Sequence, residues 1–446
     1  MSRTHDMTTG SITKQMTLFA LPLILTNIGQ QLYMIVDAAI VGRGVGVKAL
    51  ASVGSADWIY WLVLWTAGAF TTAFSTFVAR SFGEKDFEKL NRTLAMSVIL
   101  SAVLGIMLTF VGLLASRPVL ELLKTPADII DGAEVYLITM ISGTMIVVAY
   151  NLAAAILRAF GDAKSPMIAM AISAVINIGL DLLFVLVFHW GIFGAAFASI
   201  LSQLVSFVYC YFCIKKIEYV NVEKSMWKPD WEMIRELTMF AIPVSLETIV
   251  ISLGGIILQA TINDQGSIFV AGYTAVNKLY GLLECTAISL GVTFLTFFAQ
   301  NYGAKEYDRV RRGMKSSIII SVIAASIVGG IALIFGRQLI GVFLDGSMEG
   351  ALEAIEIAWR YLRFMAICMN ILYLIYPYRK VLQGMGNAVW SMISGMIECV
   401  IRVGMGWLVA AGLSAEILYY IEPSAWLGAL LFVAIPYYIV KKDYLK

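Results

Sequence analysis

The chain is poor in the residues that most often carry soluble chemistry. Histidine occurs twice in 446 residues, as His5 and His189, so no histidine-based metal site can be built. Charged residues make up 14%, against about 25% in an average soluble domain. There is no phosphate loop of the G-x-x-x-x-G-K-[ST] type, which excludes ATP drive within this chain. No nucleophile–base arrangement and no acidic diphosphate motif stands out, so an enzyme is not expected, and neither is a cofactor. The longest polar stretch, 215–235, is too short for a soluble domain, and a net charge of +2 gives no reason to expect a nucleic-acid partner. The five cysteines (Cys210, Cys213, Cys285, Cys368 and Cys399) lie in or at the ends of apolar segments. Cys210 and Cys213 form a C-x-x-C, but within YCYFCIKK. That context is a membrane helix, where small apolar residues explain the pattern better than redox or metal use.

What the chain has instead is apolar length. It is 60% hydrophobic, with a mean hydropathy of +0.82, and apolar runs long enough to span a bilayer recur throughout. A membrane barrel would show alternating segments of about ten residues, so the fold class is all-α integral membrane. The first run, about 16–41, exceeds a signal-peptide core and is expected to be retained. Twelve transmembrane helices are expected, at about 15–41, 49–80, 92–116, 129–158, 165–188, 191–215, 234–262, 267–300, 312–336, 352–381, 388–411 and 424–440. With the N-terminus inside, 23 of the 32 Lys and Arg, Arg379 and Lys380 among them, fall in the inner segments and five in the outer ones. That asymmetry places both termini in the cytoplasm and the chain in the cell (inner) membrane.

The sequence also repeats. ARSFGEKDFEKLNR (79–92) matches AQNYGAKEYDRVRR (299–312) at an offset of 220, with Arg92 on Arg312. TLFALP (17–22) matches TMFAIP (238–243) at 221, and LRAFGDAKSPM (157–167) matches LQGMGNAVWSM (382–392) at 225. Two six-helix lobes follow, an N-terminal lobe at 1–216 and a C-terminal lobe at 234–446, joined by a cytoplasmic bridge at 217–233. Six is even, so the lobes share one orientation and their pseudo-twofold lies along the membrane normal, a transporter arrangement. Pro22 and Pro243 are expected in the first turns of their helices. Ser165–Pro166 reads as an N-cap followed by proline at the first helical position.

The chemistry concentrates in the first half. Asn177 and Asp181 are four apart on one helix face. Asp181 and Ser199 each lie nine residues from Trp190, roughly 13 Å from that turn, near the middle of a core about 30 Å thick. In the first helix Asn27, Gln30, Met34 and Asp37 follow steps of three, four and three, with Tyr33 beside them. An intramembrane carboxylate must be protonated, paired or bound to a cation. Asp37, Asn177, Asp181 and Ser199 together offer only oxygens, which suits a hard cation such as Na⁺ or an exchangeable proton. The competing reading is a buried hydrogen-bond network worth about a kcal/mol per contact, which does not account for two aspartates. At offset 225, Asn177 falls on Arg402 and Asp181 on Gly406, so the cation site belongs to the first half alone. The second half has its own charges: Glu247, Lys278, Glu284, Glu398 and Arg402. Glu398 and Arg402 are four apart and can pair, while Glu247, Lys278 and Arg402 are candidates to line a substrate cavity together with Asn27, Gln30, Tyr33 and Met34.

These stretches, above all LRAFGDAKSPM, NIGLD and GIFGAAFAS within 157–203, with VDAAIVG (36–42), ARSFGEKD and LQGMGN, resemble the multidrug and toxic compound extrusion (MATE) family of the multidrug/oligosaccharidyl-lipid/polysaccharide superfamily. The resemblance covers about 15–440. It implies two six-helix lobes in a V around a central cavity, working by alternating access, and efflux of organic, often cationic, compounds against inward H⁺ or Na⁺. The family's first-lobe coupling site falls onto Asp37, Asn177, Asp181 and Ser199, with serine where threonine is common. The stretch CMNILYLIYPYRK lacks the acid that some branches carry in a second-lobe site. Small-molecule substrates, membrane lipid and a monomeric state are expected. The alternative is a flippase of lipid-linked precursors, or an exporter of anionic or zwitterionic metabolites, in the same superfamily.

Overall fold

Apolar runs with few helix breakers fold as they should in lipid, where each backbone N–H and C=O must find its partner within the segment. In the computed structural model the described residues, 4–344 and 350–444, are almost entirely helical, with no strand among them. Arg3 and Lys446, counted above with the inner basic residues, lie outside the described residues. Among the described residues eleven helices are long and apolar enough to cross a membrane, or twelve if a bent pair is taken as one span. The chain falls into two compact units, one of Met1–Asp6 and Leu21–Ile242 and one of Met7–Ala20 and Pro243–Lys446. The first residues of each leading helix therefore belong to the opposite unit, and the change comes at or next to Pro22 and Pro243.

In the first unit, α1 (Ile12–Gly44) contributes its length from Leu21 onward, followed by α2 (Val47–Glu84), α3 (Phe87–Leu122), α4 (Ile130–Ser142), α5 (Thr144–Ala159), α6 (Lys164–Asp181) and α7 (Gly191–Lys215). α3 opens on Asp86, whose side chain accepts from the Lys89 N–H at 3.0 Å. One apolar core gathers Val41, Val53, Tyr60, Leu120, Leu137, Val185 and Ile200 from five of these helices and the segment after α6. Three local expectations change. The fourth predicted helix is broken into α4 and α5, bent by 48° at Gly143. A Cβ at Gly143 would stand 2.5 Å from Ile200 Cγ1, so α7 approaches the backbone there more closely than any side chain allows. Ser165 does not cap α6, which begins at Lys164 after Ala163; the Asp162 carboxylate instead accepts from the Ser165 N–H at 2.9 Å and hydroxyl at 2.5 Å. α6 does not continue to residue 188 as an α-helix but widens into a π-helical segment, Leu182–Val187, directly after Asp181.

The second unit holds α8 (Trp231–Asn263) from Pro243 onward, α9 (Ser267–Gly303), α10 (Tyr307–Gly341), α11 (Ala351–Gly384), α12 (Val389–Ala410) and α13 (Ile421–Tyr444). Pro22 and Pro243 both lie inside their helices rather than in first turns, 10 and 12 residues after the starts of α1 at Ile12 and α8 at Trp231. α9 is the most enclosed span, with Phe294, Phe297 and Phe298 fully buried. The repeat survives in the backbone. Lys85 and Lys305 both adopt the left-handed conformation, at φ 58° and 57°. Gly46 and Gly266 have φ 120° and 90°, and Gly161 and Gly386 have 78° and 86°, at the offsets of the sequence repeat. The five cysteines are all free thiols.

Filling the Gly143 contact is expected to overpack it. Gly143→Val should destabilise the protein by about 1–3 kcal/mol, read as a lower melting temperature in detergent, and Ile200→Ala should recover part of that loss. A melting temperature unchanged in Gly143→Val would contradict the close approach of α7.

Candidate ion-coupling site

Three helices of the first unit bring the predicted oxygens together. Asp181 ends α6 and Asn177 stands one turn before it, and both are completely buried. Ser199, on α7, is nearly so. The Asn177 amide, oriented by its partners, donates Nδ2 to Asp181 Oδ2 at 2.8 Å and accepts from the Ser199 N–H at 3.3 Å. Asp37 on α1 is half-buried, and its carboxyl lies within hydrogen-bonding distance of the Asp181 carboxyl. Among the described residues, neither Asp37 Oδ1 nor Asp181 Oδ1 receives an N–H or O–H. Two carboxyl groups that meet without a donor require a shared proton or a bound cation between them. The residues present fit either: two carboxyls, an amide and a hydroxyl are hard oxygen ligands.

The surroundings add what the sequence reading missed. Tyr33 OH lies 3.5 Å from Ser199 Oγ. Tyr136, from α4, donates to Asp57 Oδ1 at 3.1 Å, and Asp57, on α2, is within electrostatic range of Tyr33 and Tyr60. Asp57 was findable: it lies eleven residues after Gly46 and Asp37 nine before it, so the two have similar depth. Tyr136 carried no such signal. Asn27, Gln30 and Met34 are half-buried further along the Asp37 face of α1.

The second unit handles its charges differently. Glu247 and Arg402 are buried, and Arg379, read from sequence as an inner-segment residue, is buried with them inside α11. Arg379 meets Glu247 at 3.4 Å and Glu398 at 2.9 Å. Arg402 meets Glu398 at 2.8 Å, the expected one-turn pair, and Glu422 at 2.7 Å. Gln383 donates to Glu247 at 2.9 Å, and Tyr376 donates to Glu284 at 3.1 Å. Each guanidinium thus holds two carboxylates. Lys278 is exposed on α9.

The MatE family profile matches residues 22–183 and 243–408. The probable multidrug resistance protein YpnP of Bacillus subtilis is 28% identical over 429 residues, covering 96% of this chain and 92% of that protein. Among solved structures, a MATE protein in a bent conformation superposes with a TM-score of 0.89 over 98% of each chain, at 21% identity. A transporter of the MOP superfamily from Pyrococcus furiosus, described as having a binding pocket of reverse polarity, gives 0.91 over 99% of this chain and 98% of that one, also at 21% identity.

Removing one partner of a buried ion pair strands the other. Arg379→Met leaves Glu247 without a guanidinium and is expected to cost about 3–5 kcal/mol, seen as a drop in melting temperature. A companion Arg379→Met/Glu247→Gln variant should recover part of it. Equal stability of Arg379→Met and the parent would show that the pairs contribute nothing to the fold.

Proposed function

The chain belongs to the MatE family, and from that premise we propose that it is a secondary active exporter that couples inward flow of H⁺ or Na⁺ to efflux of organic, often cationic, compounds. Members of this family are transporters and not enzymes. The observation that carries the coupling assignment is the approach of the half-buried Asp37 and the buried Asp181 carboxyls, on different helices with no donor between them. A cation or proton arriving there relieves their repulsion and is released again only if the two groups move apart. Binding biases a conformational equilibrium solely by its differential affinity for the two states. Asp37 on α1 and Asp181 on α6 must therefore be arranged differently in the outward-open and inward-open forms, with Asn177 and Ser199 as the further oxygen ligands. Relatives named for multidrug resistance support multidrug substrates.

In this reading the protein works as a monomer in the cell (inner) membrane, with both termini cytoplasmic and lobes of 1–216 and 234–446, and needs no cofactor beyond the coupling ion. Arg379 is buried within α11, which takes one basic residue from the inner set without altering the bias. An exporter of anionic metabolites would need free positive charge in its binding wall. In the second unit Arg379 and Arg402 are each held by two carboxylates, which on the arginines favours cationic substrates over that alternative and over a flippase of lipid-linked precursors, while the exposed Lys278 weighs the other way.

Reconstituted into liposomes, the parent should export a fluorescent organic cation when a pH gradient or a Na⁺ gradient is imposed, and the gradient that works identifies the coupling ion. Asp181→Asn should lose gradient-driven efflux by at least about tenfold, the equivalent of 1.4 kcal/mol. Full gradient-driven efflux in Asp181→Asn would overturn the assignment of the site.

A further inference from the structure

The internal repeat shows how each unit treats a basic helix end, and the two units differ. In the first unit, Asp230 stands just before α8. Its Oδ1 accepts from the Met233 N–H at 3.1 Å, its Oδ2 accepts from Arg92 at 3.2 Å, and its own N–H faces Met96 Sδ at 3.4 Å. A carboxylate thus sits between a helix N-terminus and a guanidinium, where both favour negative charge. One turn earlier on α3, Lys89 pairs with Glu84 at 2.8 Å.

The repeat carries these positions into the second unit. Arg92 falls on Arg312 and Lys89 on Arg309, and the opening of α8 falls on the opening of α1. The acids do not follow: Asp230 falls on Thr9 and Glu84 on Ala304, while Ala95 becomes a further cation, Lys315. At this place the second unit has an open surface depression of about 430 Å³, lined by residues 10–13 at the start of α1 and by Arg309, Arg312, Lys315 and Ser316 of α10. Among the described residues no carboxylate lines it. Arg309 donates to the carbonyls of Met7, Gly10 and Thr9 at 2.9, 2.9 and 3.2 Å and to Asn301 Oδ1 at 2.9 Å. These neutral acceptors hold the chain before α1 so that its helix end faces the depression. Gly10, at φ +77°, makes that turn. Thr13 Oγ1 and Ser316 Oγ are 3.2 Å apart on the wall.

We propose that this depression is an anion site that binds a phosphate group, in the place where Asp230 puts its carboxylate in the first unit. Two exposed cationic side chains, Arg312 and Lys315, backed by the charge of Arg309 whose N–H groups hold the chain, suit a tetrahedral oxyanion together with two hydroxyls and the N–H groups of a helix end. The same chemistry is offered by the phosphodiester of an anionic phospholipid and by soluble phosphate.

Melting of the full-length protein in phosphatidylcholine nanodiscs tests this in two arms. In one, inorganic phosphate replaces chloride at fixed ionic strength. In the other, phosphatidylglycerol replaces part of the phosphatidylcholine. At least one arm is expected to raise the melting temperature by about 2 °C or more. A response to phosphate alone assigns a soluble anion, and one to phosphatidylglycerol alone assigns a lipid headgroup. The shift should be retained in Lys14→Ala, which removes a charge from the same helix end outside the lining of the depression, and should fall by more than half in Arg312→Ala/Lys315→Ala. Thr9→Asp, which supplies the missing carboxylate from the chain itself, should fold stably and also lose the response. No shift in the parent in either arm, or an equal shift in the Arg312→Ala/Lys315→Ala and Lys14→Ala proteins, overturns the site.

Discussion

The approach of Asp37 to Asp181 is the constraint that the first unit is built around. Two unit charges about 4 Å apart repel by about 4 kcal/mol at an effective dielectric near 20, and burial penalises each of them again. Such a pair persists only if the scaffold over-determines it. Here α6 carries Asp181 and Asn177 on one completely buried face, α7 presents Ser199 and its N–H, and α1 supplies Asp37 from a third direction. The apolar core from Val41 to Ile200 joins α1 and α7 to Val185 in the π segment that continues α6. Remove the pair and the remaining polar contacts are ordinary ones.

The second unit faces the same problem, carboxylates in an apolar interior, and answers it with arginine. Glu247, Glu398 and Glu422 share two guanidiniums, with Ser394 and Gln383 completing the hydrogen bonding. Bidentate geometry and permanent charge make arginine a fixed partner rather than an exchangeable one. The two halves of one repeat have therefore diverged in kind: one brings two acids together with no basic side chain between them, the other pairs its acids with arginine.

Much of this was legible because helical spacing and bilayer depth are both linear in sequence. Steps of three and four placed Asn177 beside Asp181, and equal distances from Trp190 placed Ser199 at their level. Arg379 was misread for the same reason: distance from an apolar boundary cannot tell a side chain in the loop from one turned inward to meet Glu247. Asp57 was overlooked although its depth matched Asp37, since depth alone does not say which face of α2 looks inward. The break at Gly143 depends on Ile200, 57 residues away, and a local pattern carries no trace of such a contact. Nor does a run of apolar residues such as Leu182–Val187 distinguish an α turn from a π turn.

That π turn has a geometric consequence. Its hydrogen bonds reach five residues back, as from Phe188 N to Leu183 O at 2.9 Å, so the segment holds about one residue more than an α-helix of the same rise. One surplus residue amounts to roughly 100° of azimuth. The end of the segment, which Phe184 anchors by its stack on Trp190 at 4.9 Å, is phased against Asp181 by that angle. The aspartate thus stands at a dislocation in its own helix, where the aromatic cap above and the polar cluster below obey two separate periodicities.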